Sequence, residues 1–220
     1  MFFPMISAMI STMSSNKPKG THPTRTERVQ SRHGEGHLVD AGQVTVSGNA
    51  LSMQIKLNDA PVPGRQFTAD AANAKIDHGL VRLLFAQTEP IGDGLLSLLV
   101  VQMSLESTEQ WIAQFNQEFY ENLKKLPDYA KDGDITKFTE PAKQTVILVA
   151  SYALMGYSGG NGCLDFYYSS PFAINQMAAL RKLAIDPVVR VNIQTGVLLA
   201  LIDQLKEMAM LFPKISGELT

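Results

Sequence analysis

Gly156-Tyr157-Ser158-Gly159-Gly160 has the G-x-S-x-G spacing that in an α/β-hydrolase displays a nucleophilic serine on a sharp turn between a strand and a helix. That device needs a helix directly after the serine, so that backbone N–H groups face the oxyanion. Here Asn161 to Tyr168, NGCLDFYY, reads as a strand instead. The hydrolase order also puts histidine after the serine, whereas His22, His33, His37 and His78 all precede Ser158. The expected structure is a glycine-rich hairpin turn, whose glycines accept positive φ. No Lys followed by Ser or Thr closes the loop and no helix follows it, so it is not a phosphate cradle. His33 and His37 have a spacing that would align two imidazoles on a helix, but Gly34 and Gly36 flank Glu35 and oppose a helix. A structural zinc site would need more ligands than this pair. Asp77 could orient the imidazole of His78 as a base, yet no nucleophile accompanies them, and a turn at the entry to the next strand is expected. Cys163 has no neighbouring His or Lys to lower its pKa and is expected to be an inert thiol. No catalytic, cofactor or metal residue is assigned. An enzyme with a dispersed site would draw on Asp77, His78, Asp165 or Arg190.

Recognition offers a different candidate. Phe166, Tyr167 and Tyr168 alternate along one predicted strand, so one tyrosine should face outward, and exposed aromatics anchor protein partners. These three are the candidate partner-binding residues.

Composition narrows the classes. The chain has 220 residues, 45% of them hydrophobic and 18% charged, with a formal net charge of -2. That is an ordinary globular composition, large enough for a core without staples. The near-neutral balance argues against a nucleic-acid partner except through a local patch. One patch exists in residues 14 to 40, where Lys17, Lys19, Arg25, Arg28 and Arg32 outnumber Glu27 and Glu35 in a Ser/Thr/Pro/Gly-rich stretch. This stretch reads as a flexible tail, and a regulator that holds RNA or DNA through it is one alternative function. A single cysteine excludes an internal disulfide and suits a reducing, cytoplasmic setting. The leading MFFPMISAMISTM has no Lys or Arg ahead of its apolar run and is interrupted by Pro4, which argues against a signal peptide. Methionines at 1, 5, 9 and 13 suggest initiation at Met13. Thr145 to Met155 is apolar but too short for the ~20 residues of a membrane helix, and a buried strand is expected.

The elements that would position these residues follow from periodicity. Residues 43 to 57 alternate around Ser47-Gly48-Asn49 as a hairpin. AANAKIDHGLVRLLFAQ and GLLSLLVVQMSL read as two β-prone runs forming an antiparallel pair. Ile112, Phe115, Phe119, Leu123 and Leu126 make one apolar stripe on a long helix, with Ser107 and Gln110 as its capping box. A short helix is expected after Pro171, and a last helix buries Leu198, Leu201, Ile202, Leu205, Met208 and Phe212. The stretch LLVVQMSLESTEQWIAQF echoes DPVVRVNIQTGVLLALI, with Ser107 and Thr195 at matching cap positions. The predicted fold is α+β: antiparallel sheets from a duplicated beta-beta-alpha unit (half-repeats 43–126 and 142–212) with two long helices on one side. The predicted organisation is a tail, 1–40, and a single domain, 41–220.

Strands followed by a long helix running off the last strand resemble the SecB-like arrangement, over residues 43 to 212 and at the level of topology. The resemblance implies a chaperone-like or antitoxin-associated oligomer that binds other chains. The functional expectation is a non-enzymatic protein-interaction or assembly protein that binds a protein partner or self-associates, without cofactor or metal.

Overall fold

The computed structural model describes residues 6–11, 30–31, 34–35, 37–47, 50–55, 57, 60–91, 94–123, 143–158 and 160–212. The basic stretch 14–29, His33, the Gly48-Asn49 turn and Gly159 lie outside the described residues. The chain is a mixed α+β protein with mainly antiparallel sheets and, among the described residues, four helices. It clusters into two compact units, one formed by residues 1–61 with 169–186 and the other by 62–168 with 187–220.

In the first unit, β1 (Ile6–Ser11) lies within the stretch read as tail and pairs antiparallel with β5 (Ala50–Ile55). β2 (Gln30–Ser31) and β3 (Gly34–Glu35) pair with each other, and among the described residues with no further strand. β4 (His37–Ser47) forms the predicted hairpin with β5, with Ser47 opposite Ala50 and a bulge between Ala41 and Val44. α3 (Pro171–Leu180) starts at Ser170, whose hydroxyl accepts the Ala173 N–H at 3.2 Å, with Pro171 suited to the first turn. Arg181 then turns left-handed and leads into β13 (Lys182–Gln194). Residues 182–185 of β13 pair antiparallel with β4.

The second unit holds the remainder of β13, from Pro187, which lacks the N–H that a ladder uses and sits between residues 182–185, paired with β4, and residues 190–193. Arg190–Ile193 pair parallel with β6 (Gln66–Ala69). β7 (Ala71–Asp77), β8 (Leu80–Thr88) and β9 (Leu95–Ser104) form an antiparallel meander, and β10 (Gln144–Val149) joins β9 in parallel. The β-prone run from residue 71 to 87 is thus two strands, divided at the turn expected at Asp77-His78. His78 (φ 50°) and Gly79 (φ 74°) form the turn between them, as a two-residue hairpin of matching twist requires. Histidine tolerates the left-handed region better than most residues.

α1 (Leu105–Ile112) runs directly off β9, and its cap is Ser104, not Ser107: the Ser104 hydroxyl accepts the Ser107 N–H at 3.0 Å. The predicted long helix is broken. After Ile112 the bonds tighten, with Phe115 N–H donating to the Ile112 carbonyl. Asn116 then caps a second helix, α2 (Gln117–Leu123), by accepting the Phe119 N–H at 3.0 Å. The aromatic stripe survives the break. Trp111 meets Phe115 edge-on at 5.5 Å between centroids, and Phe115 meets Phe119 at 5.0 Å.

The run expected as one buried strand around Thr145–Met155 is also two, β10 and β11 (Tyr152–Ser158), separated at Ala150-Ser151. β11 forms a hairpin with β12 (Asn161–Tyr168), Ser158 opposite Asn161, as the glycine-rich loop predicted. α4 (Thr195–Ala209) leaves β13 with Thr195 as its first residue, so Thr195 is not a cap, and Gln194 in that position makes no side-chain cap bond. Its face Leu198, Leu201, Ile202, Leu205 joins Leu83, Phe85, Val101, Met103 and Phe166 in one core, each large side chain contributing about 1.5–3 kcal/mol. Among the described residues no helix is long and apolar enough to cross a membrane.

α4 also reaches the edge of the meander. The Gln204 carboxamide accepts the Ala74 N–H at 2.9 Å, donates to the Ala74 carbonyl at 3.2 Å and donates to Asn73 Oδ1 at 2.7 Å. A side chain thereby occupies the hydrogen-bonding position that a further strand would take. Gln204→Leu keeps the volume but takes the partner from the Ala74 carbonyl, while the Ala74 N–H retains its bond to Asn73 Oδ1 at 2.8 Å, so we expect a loss of about 1–3 kcal/mol, read as a lower urea midpoint than wild type at unchanged slope.

Candidate interaction edge

The four-stranded sheet has two outermost strands, and they end differently. β7 meets α4, and Gln204 bonds both polar groups of Ala74. β10 has β9 on one side, and among the described residues no strand pairs with its other side. The Ala150 N–H donates to the Gln102 carbonyl at 2.9 Å, and in a parallel ladder alternate residues turn both N–H and C=O to the same neighbour. Gln144, Val146 and Leu148 are in phase with Ala150 and bond to β9, so Thr145, Ile147 and Val149 direct their backbone groups to the open side. The hairpin phase agrees. Asp77 and Leu80 close a two-residue turn, so the odd residues of β8 and β9 bond each other and the even residues of β9 serve β10. Ahead of the strand, Lys143 N–H reaches the Leu95 carbonyl at 3.5 Å, near the bulge of the β8–β9 ladder.

The side chains of this strand are apolar and exposed on both faces: Val146 at 48%, Ile147 at 57% and Val149 at 51%. Lone exposed apolar residues are ordinary, but three of them on one unpaired edge are not. Exposed edges are usually blunted by Lys, Pro or a bulge, and QTVILV has no charge or proline. The flanking Lys143 is ion-paired with Glu89. β-branched Thr, Val and Ile suit an extended conformation. The sequence carried these residues plainly, but as a buried strand, because apolar periodicity does not say which strand is outermost.

The residues singled out for chemistry are placed as follows. Asp165 and Arg190 come together as a two-pronged pair, Nε to Oδ1 and Nη2 to Oδ2 both at 2.6 Å. Cys163 and Tyr167 share their surroundings on β12. Burial, and then the Asp165 charge, push the Cys163 thiol and the Tyr167 phenol up from their ordinary pKa, against an opposing pull from Arg190. Burial, and then Glu106, push Tyr152 up to about 12. All three remain protonated near neutral pH, which is the wrong direction for activating a nucleophile. Asp77 and His78 sit in the β7–β8 turn, His78 Nδ1 to Asp77 Oδ1 at 2.5 Å and Arg82 Nη1 to Asp77 Oδ2 at 2.8 Å. The imidazole is 91% exposed. An open groove of about 400 Å³, lined by Thr68, Asp70, Asn161, Asn192 and Gln194 among others, contains none of Asp77, His78, Asp165 and Arg190. His37 opens β4 and is exposed. Among the described residues no three His, Cys, Asp or Glu side chains are grouped to hold a metal. Of the aromatic trio, Phe166 and Tyr167 are enclosed at 0% and 1% exposure and Tyr168 is half-buried, so only Tyr168 presents surface. One tyrosine was expected outward, and successive residues Leu164 to Tyr167 are all buried, as in a strand covered on both faces, which leaves Tyr168 in that place.

No protein-family profile, no curated protein and no solved structure matches the chain.

Two stability outcomes follow. Arg190→Leu leaves the Asp165 carboxylate buried without its partner and should cost on the order of 3 kcal/mol, most of it recovered by adding Asp165→Leu; chemical denaturation of the three chains reads this as a double-mutant cycle. Tyr152 and Tyr167 hold their protons in the fold at pH values where the unfolded chain, with phenols near 10, has released them. Their contribution is complete below about pH 10 and is lost as pH rises through the folded values. Urea midpoints should therefore fall from about pH 10 upward, in step with phenolate absorbance at 295 nm.

Proposed function

We propose that this chain is a protein-interaction or assembly protein that joins another polypeptide by strand addition at β10. One contrast carries the reading: the sheet ends at β7 under the Gln204 carboxamide, while at β10 it ends in Thr145, Ile147 and Val149, whose backbone groups face outward beneath exposed apolar side chains. Strand addition draws its affinity from such backbone groups and its specificity from alternate side chains. Self-association, a chaperone-like role and a SecB-like relationship belong to the same reading, as does cytoplasmic residence with a reduced Cys163. A duplicated beta-beta-alpha ancestry for the half-repeats 43–126 and 142–212 is supported by the two places where a strand runs straight into a helix, Ser104 to Leu105 and Gln194 to Thr195.

The test is co-purification of the tagged protein from its host at near-physiological salt, with the native mass of the assembly, for wild type and Ile147→Pro. Proline removes an N–H that faces outward, a change that edge strands tolerate. The expected result is a stoichiometric polypeptide, foreign or a second copy, held by wild type and lost by Ile147→Pro at unchanged melting temperature. Binding that survives the substitution would place the interaction elsewhere.

A further inference from the structure

The outward groups of β10 can be satisfied in full by the same strand of another molecule, and we infer that its occupant is a second copy of this chain, paired antiparallel about a two-fold axis through Ile147. The inference rests on the edge-binding reading above and names the partner.

The register follows from phase. In an antiparallel ladder, paired residues point to the same face, and residues that exchange both N–H···O bonds alternate with residues that exchange none. A two-fold axis at Ile147 sets Ile147 opposite Ile147 of the second copy and Thr145 opposite Val149. These are the residues whose backbone groups face outward, so every such pair lands on a bonding position. Between them Val146 falls opposite Leu148 of the second copy in the non-bonded positions. An axis shifted by one residue, through Val146 or Leu148, would oppose groups already bonded to β9.

The side chains agree with this register. Ile147 with Ile147 and Thr145 with Val149 are β-branched cross-strand pairs, the kind that stabilise a sheet. They cover apolar atoms that are exposed in the single chain. Charge agrees as well. The paired segment Gln144–Val149 is uncharged, and Lys143 at its end is neutralised by Glu89 of its own chain, so self-pairing brings no like charges into opposition. A closed two-fold contact uses both edges once and stops, which a head-to-tail contact would not.

The test uses the full-length chain with Cys163→Ser as background. Ile147→Cys should form a disulfide-linked dimer under mild oxidation, because bonded antiparallel pairs hold their Cα atoms about 5.5 Å apart, within disulfide reach. Thr145→Cys alone should not cross-link, and Thr145→Cys with Val149→Cys in one chain should. In sedimentation, wild type should be a dimer that Ile147→Lys and Ile147→Pro convert to monomer with an unchanged far-ultraviolet circular dichroism spectrum, lysine by opposing its own copy at the axis. A wild-type monomer across roughly 1–100 μM, bracketing a micromolar association, or a dimer that ignores both substitutions, would overturn the inference. Equal cross-linking at 145 and 147 alone would overturn the register. If the chain is monomeric yet Ile147→Pro still releases a foreign polypeptide, the edge reading survives and only the second copy is refuted. If neither occurs, both fail.

Discussion

A β-sheet leaves a row of backbone N–H and C=O groups on each outermost strand, and each row must meet water, a side chain or another strand. Much of the second unit can be understood as an answer to that constraint. Its last helix does two jobs: Leu198, Leu201, Ile202 and Leu205 close the core, and Gln204, on the same helix, terminates the meander at Ala74. The carboxamide suits the task because it carries a donor and an acceptor in the spacing of a peptide group. At the other end, β10 is extended by residues that favour pairing over solvation. A sheet that grows in only one direction is a natural building block for a closed assembly.

The buried ion pair belongs to the fold. Asp165 and Arg190 lie on neighbouring strands in the part of the core where β12 is covered on both faces. Their bidentate geometry satisfies the carboxylate with two short bonds, which keeps the cost of desolvating it manageable. Burial, reinforced by the Asp165 charge, keeps the neighbouring phenol and thiol neutral against the opposing pull of Arg190. What a sequence reader would gather as a reactive cluster of cysteine, aspartate, tyrosine and arginine is, in three dimensions, a quiet one.

Local chemistry in the sequence announced a good deal of this. The α+β class, the hairpins at 43–57 and 152–168, the helix after Pro171 and the buried face of α4 follow from alternation, glycine placement and the three-four spacing of apolar residues. The misses share a cause. The helix expected across 107–126 is interrupted because Asn116 offers a cap that competes with continuing the stripe, and the stripe alone does not record the competition. The turn expected at Asp77-His78 is present, its two central residues being His78 and Gly79. The interaction edge was invisible as an edge: QTVILV reads alike in the middle of a sheet and at its margin, and only strand order separates the two. Of the trio Phe166, Tyr167 and Tyr168, one tyrosine was expected to face outward; Tyr168 presents surface, while Phe166 and Tyr167 are enclosed because β12 is covered on both faces there.

The distance along the chain between the two partners that seal the β7 edge, 130 residues, has a bearing on biosynthesis. The meander from Ala71 to Ser104 emerges from the ribosome well before Gln204 exists. At ordinary elongation rates, the interval is on the order of ten seconds. During that window β7 is as bare as β10, and the meander carries two open margins where, among the described residues, the finished four-stranded sheet carries one. Synthesis therefore passes through a stage at which neighbouring nascent chains could join through the wrong side, and the final turns of the last helix bring that stage to an end.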